Sequence, residues 1–123
     1  MSKKILLVDD SPTSRLTSRM ILGKRNNYEL VSASDGQECV EMALTEKPDL
    51  ILMDVTMPRM SGLEACRTLK DQPATRQIPV ILVTTRSEKS VVEQAHVSGC
   101  NDFMTKPVDE QKLMALLKTY LGE

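Results

Sequence analysis

Aromatic side chains are nearly absent from this 123-residue chain, which has no tryptophan, one phenylalanine and two tyrosines. Single-stranded nucleic acid is usually held on several stacked rings, so that mode of binding is excluded. An excess of one charge is missing too. The 16 Lys and Arg and 17 Asp and Glu leave a net charge of -1, with no field to draw in nucleic acid or an anionic membrane. Cysteine is scarce. Cys39, Cys66 and Cys100 are odd in number, far apart and without a Cys-x-x-Cys pair, which argues for reduced thiols rather than a disulfide framework or a zinc site. No apolar run reaches the length of a transmembrane helix, and the N-terminal "MSKKILLVDD" meets acid too soon for a signal-peptide core. The expectation is a soluble, cytoplasmic protein.

What is present has a regular plan. A chain of this length is expected to form one domain, residues 1–123, with a core burying roughly two-thirds of its unfolded surface. Three runs are aliphatic throughout: "ILLV" (5–8), "LILM" (50–53) and "VILV" (80–83). Such runs suit strands covered on both faces, as in a parallel sheet. "YELVSA" (28–33) and "DFMT" (102–105) are more polar and suit the sheet's edges. Helical patterns lie between. Ser11 caps the first, with Pro12 at its first position and Gly23 at its end. The second runs from about Asp35 to Glu46, and the third from near Ser61 to before Pro73. The fourth lies between Ser87 and Gly99, with Ser90–Glu93 as a competing capping box for its start. Asp109 caps the fifth, whose apolar stripe is Leu113, Leu116, Leu117, Tyr120 and Leu121, and Gly122 ends it. Five βα units in succession predict an α/β fold: a doubly wound, five-stranded parallel sheet in the order 2-1-3-4-5, the flavodoxin-like (βα)5 arrangement.

Chemistry then collects at one end of that sheet. In "PDLILMDVTMP" (48–58) the core strand runs straight into Asp54, a charge that is costly to bury without a partner. The first strand ends in Asp9 and Asp10, the fourth in Thr84 and Thr85, the fifth in Lys106 and Pro107. In open α/β sheets, ligands bind outside the carboxyl ends of the strands, where the strand order reverses. Three carboxylates there repel one another unless a hard cation sits among them; Mg2+ takes oxygen ligands and works with one or two carboxylates plus phosphate oxygens. A carboxylate beside a metal and a lysine can attack phosphorus and form an aspartyl phosphate.

With "VDDS" (8–11), "LILMDVTMPRMSG" (50–62), "VILVTT" (80–85) and "DFMTKP" (102–107) in this order and spacing, the chain resembles a response regulator receiver domain of the single-domain, CheY-like kind over nearly its whole length. That family is itself an example of the 2-1-3-4-5 order, so strand order and resemblance are not independent arguments. The resemblance implies that Asp54 is the phosphoacceptor. Asp10 would bind Mg2+ directly, Asp9 largely through water, and Thr56 through its backbone carbonyl. Thr84 and Lys106 would each contact a phosphoryl oxygen, Lys106–Pro107 would be a cis peptide, and Phe103 would be the switch aromatic. Thr85 stands where relatives usually have a smaller residue, which implies narrower access to Asp54. Phe103 lacks the hydroxyl of the tyrosine found in many relatives, so its signal would pass through packing.

The function implied is a phosphorylation-dependent signalling switch of a two-component His-Asp phosphorelay. It would accept its phosphoryl group from a sensor histidine kinase or a histidine phosphotransfer domain. Output would pass to a protein target through the fourth helix, fifth strand and fifth helix, with no nucleic acid or membrane involved. The chain stops after the fifth helix, so no output domain is expected. A chemotaxis regulator and a relay intermediate passing phosphate onward are both open. It would be no enzyme in the usual sense, catalysing only its own phosphorylation and dephosphorylation.

Three alternatives fit the sequence less well. A phosphatase of the haloacid dehalogenase type needs a second Asp two residues after the nucleophile, where this chain has Thr56. A flavin or nucleotide carrier would want an anion cradle after the first strand rather than "DDSPTS". A phosphate-independent scaffold is disfavoured because the full set of site residues is present. Arg15 and Arg19, with Lys24 and Arg25 beyond, form a modest basic cluster on the first helix. A solvated face accounts for it, and its position also suits docking of a phosphodonor. His96 has no evident partner. The methionines are mostly core filler, with Met57 and Met60, in the loop after Asp54, placed where they can be exposed.

Overall fold

The aliphatic runs form the centre of the sheet in the computed structural model of the chain, which describes residues 3–24, 28–85, 89–106 and 108–122. Arg25, Ser87 and Pro107 fall outside these residues, and with them the proposed cis peptide. The elements alternate throughout: β1 (Lys3–Val8), α1 (Pro12–Leu22), β2 (Tyr28–Ala33), α2 (Gly36–Glu46), β3 (Leu50–Asp54), α3 (Gly62–Asp71), β4 (Val80–Thr84), α4 (Lys89–Val97), β5 (Asp102–Thr105) and α5 (Glu110–Leu121). The strands pair in the order β2-β1-β3-β4-β5, all parallel, as the alternation predicts.

Side chains alternate across a strand, and both faces of this sheet are covered. Ile5, Leu7, Leu50, Leu52, Ile81 and Val83 pack on one side with Leu22 of α1 and Leu113 and Leu117 of α5. Leu6, Val8, Ile51, Met53, Val80 and Leu82 pack on the other with α2, α3 and α4, through residues such as Val40, Leu69 and Ala95. This is why β1, β3 and β4 contain apolar residues at successive positions and the two edge strands do not. Each fully buried leucine contributes about 1.5–3 kcal/mol, so the Leu113 and Leu117 pair anchors α5 to the sheet.

Local chemistry sets most helix ends. The Ser11 hydroxyl accepts from the Ser14 amide, and Pro12 opens α1, which Gly23 ends. Asp35 caps α2, Ser61 and Glu64 form a reciprocal capping box on α3, and Asp109 and Gly122 cap the two ends of α5. The start of α4 differs from one of its two sequence readings. The helix is already running at Lys89, so Ser90 lies in its first turn and does not cap it.

Candidate functional site

Because the strands are parallel and in register, their carboxyl ends are level. Val8 pairs with Met53, Asp54 with Val83, and Thr84 with Thr105. The next residues out of β1 are Asp9 and Asp10, and Asp54 ends β3. Oxygens of these three carboxylates lie within 4.8 Å of one another, the one group among the described residues spaced to hold a metal ion. Asp9 and Asp54 are each only 9% exposed, while Asp10 reaches solvent. This donor set of clustered hard oxygens, half sunk and half open to water, fits a divalent cation that keeps part of its hydration shell.

Lys106 is carried in by β5. Its amide donates to the Thr84 carbonyl at 2.8 Å. Its Nζ donates to Asp9 Oδ2 at 2.8 Å and lies 3.5 Å from Asp54 Oδ2. Burial by itself would lower the lysine's pKa, but the hydrogen bond to Asp9 and the charges of Asp54 and Asp9 outweigh it and hold the ammonium above its ordinary value. At Asp54 the balance tips the other way. Burial raises its pKa, Asp9 adds to the rise, and Lys106 offsets only part of it. The difference has a geometric cause. Lysine has two carboxylates within reach, whereas Asp54 has a share of one ammonium at the longer distance and a like charge beside it.

The loop after β3 turns sharply over the Asp54 backbone. The Gly62 amide donates to the Val55 carbonyl at 2.8 Å, and a Cβ at Gly62 would lie 2.2 Å from the Asp54 carbonyl oxygen. Only glycine permits that approach. Thr56 is exposed within this loop. Met57 and Met60 are not free there, since both pack partly buried against the α2–α3–α4 layer.

A cavity of about 360 Å³ opens beside Asp54, between β1, β3, β4 and α1, and its lining includes Asp9, Asp54, Thr85, Lys106 and Val108. Leu7 and Asp9, Leu52 and Asp54, Val83 and Thr85, alternate residues on the α1–α5 side of the pleat, all line it, together with Val8 and Met53 of the opposite side. Thr84 therefore belongs to the other side. It is 1% exposed, in line with Leu82 and away from this lining. Phe103 sits opposite Leu82 on that same side, partly buried. The two threonines named together from the sequence thus face different layers.

Arg15 and Arg19 are not a free cationic face. Arg15 Nη1 donates to the Asp9 carbonyl and Arg19 Nη2 to Ser32 Oγ, both at 2.5 Å, bracing α1 against the ends of β1 and β2. Lys24 pairs with Glu110 at 2.9 Å, and His96 is exposed on α4. Burial favours the neutral form of the thiols. Burial, with Cys66 and Asp35 adding to it, pushes Cys39 up to about 12, and burial with Cys66 and Asp102 pushes Cys100 up to about 11. One residue at this end of the sheet carries no signal of its role in the sequence. Arg59 takes a left-handed φ of 65° in the β3–α3 loop and pairs with the α2 cap Asp35.

This arrangement is that of a known family, and the chain belongs to it: the family model for the response regulator receiver domain matches residues 5–118. The chain is 42% identical over 120 residues to response regulator PleD of Caulobacter vibrioides, covering 97% of this chain and 26% of PleD, so it spans about a quarter of that relative's length. It is 38% identical over 119 residues to protein PilH of Pseudomonas aeruginosa, covering 97% of this chain and 98% of PilH. The crystal structure of the receiver domain of sensor histidine kinase PA1611 from Pseudomonas aeruginosa superposes with a TM-score of 0.90 over 100% of both chains at 28% identity, and was described with a magnesium ion coordinated in its active site cleft. Membership sets aside the dehalogenase-type phosphatase and the flavin carrier. No helix among the described residues is long and apolar enough to cross a membrane.

Proposed function

We propose that residues 1–123 act as one receiver domain, a cytoplasmic phosphorylation-dependent switch in a two-component pathway, with Asp54 as phosphoacceptor. The observation that carries this reading is Lys106 Nζ between Asp9 and Asp54, at 2.8 and 3.5 Å, inside a cluster of three carboxylates. A resident Mg2+ would be held by Asp10 and Asp54, by Asp9 through water, and by the Thr56 carbonyl; PA1611's receiver, with magnesium in its cleft, supports the same choice here. Bound there, Mg2+ would neutralise charge on the phosphoryl oxygens during transfer.

The chain's own residues do the rest. An Asp54 oxygen attacks phosphorus, the bond from phosphorus to the donor's histidine nitrogen or acyl oxygen breaks, and its electron pair leaves with the donor. Lys106 holds one phosphoryl oxygen, and Thr84 donates to another once its side chain turns toward the site. The shared side of the sheet occupied by Thr84 and Phe103 supports a packing link from site to surface. The donor would be a sensor histidine kinase or a phosphotransfer domain, and the target would dock on α4, β5 and α5. No other molecule is turned over.

Incubation with acetyl phosphate and Mg2+ tests this directly. One acid-stable, base-labile phosphoryl group should appear, and both Asp54→Asn and chelation of the metal should abolish it. Undiminished labelling of Asp54→Asn would falsify the assignment.

A further inference from the structure

We propose that Arg59 and Asp35 form a latch that fixes the β3–α3 loop, making Arg59 a positioning residue for cation binding at the three-carboxylate site. The inference rests on the function proposed above and concerns a pair of residues not otherwise part of it.

The loop is held at two places. At its base, Gly62 packs on the Asp54 carbonyl and donates to Val55. At its far side, the Met60 carbonyl accepts from the Gly36 amide at 3.1 Å, and a Cβ on Gly36 would lie 2.4 Å from that same oxygen. The loop is therefore seated on the first turn of α2. Arg59 completes this contact. Its guanidinium donates to Asp35 Oδ2, and its side chain is 73% exposed while that of Asp35 is 3% exposed.

The ion pair also helps keep the buried Asp35 carboxylate charged, but the α2 cap does not depend on it. Asp35 Oδ1 already accepts the Glu38 amide at 2.9 Å and so caps α2 unaided. Arg59 gains almost no burial, and its φ of 65° is one that side chains other than glycine adopt at a cost. What the pair does fix is the backbone three residues beyond Thr56, whose carbonyl is the proposed metal ligand. Contacts that orient a ligand typically change metal affinity by about 10–100-fold when removed.

Electrostatics and positioning predict opposite signs here. Arg59 is a cation near a cation site, so by charge alone its removal should tighten Mg2+ binding. If the latch positions the loop, removal should weaken it. Arg59→Gly separates the two further, because glycine suits the left-handed backbone and relieves its strain. Calorimetric titration of MgCl2 into the wild type, Arg59→Gly and Asp35→Asn, with thermal unfolding alongside, is the experiment. Asp35→Asn retains a capping oxygen and loses the charge that holds Arg59. The expected result is an Arg59→Gly protein that melts at or above the wild-type temperature and binds Mg2+ roughly 10-fold more weakly. Asp35→Asn should be weakened as well, and the double variant should lose little beyond Arg59→Gly. Equal or tighter Mg2+ binding by Arg59→Gly would overturn the latch, and so would loss of its thermal transition, which would make Arg59 merely structural. A wild type that fails to bind Mg2+ would instead overturn the proposed function, and the latch with it.

Discussion

At Asp54 two influences compete. Burial and the neighbouring Asp9 favour the neutral acid, while Lys106 favours the reactive carboxylate. A divalent cation among the three carboxylates would settle the contest in favour of the charge, which would tie the proposed phosphoacceptor and a metal into one requirement. Access to Asp54 is a matter of shape. Thr85, and not Thr84, lines the cavity beside Asp54, so Thr85 is a side chain placed to narrow a small donor's approach. Thr85→Ala removes a hydroxyl and a methyl from the wall and should speed labelling by acetyl phosphate, whereas Thr85→Leu should slow it. Labelling time courses at saturating Mg2+ check this, and equal rates for all three proteins would mean that Thr85 does not limit access. By contrast, Thr84→Ala should accept the phosphoryl group and lose the signal that follows.

Among the helices, α2 shows most clearly how one cap couples fold to pH. Hydrogen bonding from the Glu38 amide, against the opposing effect of burial and with help from Arg59, holds the Asp35 carboxyl below its ordinary value. A carboxylate depressed in the folded state contributes stability that is present above its unfolded pKa, about 3.9, and is lost as pH falls through the folded value. Asp35→Ala should therefore cost about 1 kcal/mol near neutral pH, and the gap to the wild type should shrink below about pH 4. Urea melts across that range would show it, and a gap independent of pH would refute it. Caps of this kind were legible in the sequence because they are short-range: Ser11, Asp35, Ser61 and Asp109 each bond within three residues of themselves. The start of α4 was read ambiguously because Ser90 and Glu93 satisfy the same local pattern from inside the helix. Arg59 was not legible at all. Its backbone angle is one expected of glycine, and its partner lies 24 residues earlier in the chain.

For the molecule as a whole, the central place of β1, β3 and β4 followed from three aliphatic runs, while the full sheet order leaned also on the family resemblance. Parallel strands put all their carboxyl ends on one edge, which brings Asp9, Asp10, Asp54 and Lys106 to the same end of the sheet. The facing of Thr84 was available too, since counting alternate residues from Leu82 puts it on the α2–α3–α4 side, but a motif read as a string conceals that parity. It matters for the switch. Thr84 and Phe103 share the α2–α3–α4 side, so a threonine drawn toward a phosphoryl group would leave space that Phe103 can enter. Full burial of such a ring is worth about 1.5–3 kcal/mol, and Phe103 is already partly buried, so its gain is smaller. A shift from 1:99 to 99:1 needs about 5.5 kcal/mol. On the proposed function, bonds from Thr84 and Lys106 to the phosphoryl oxygens would then supply most of it, with the ring reporting the change more than driving it. The direct measurement is a map of backbone NMR shifts on adding beryllofluoride, a phosphoryl mimic, with Mg2+. Shifts should begin around Asp54 and Thr84 and extend through Phe103 into α4. Shifts confined to the loops around Asp54, with Phe103 and α4 unmoved, would contradict the packing link from site to surface.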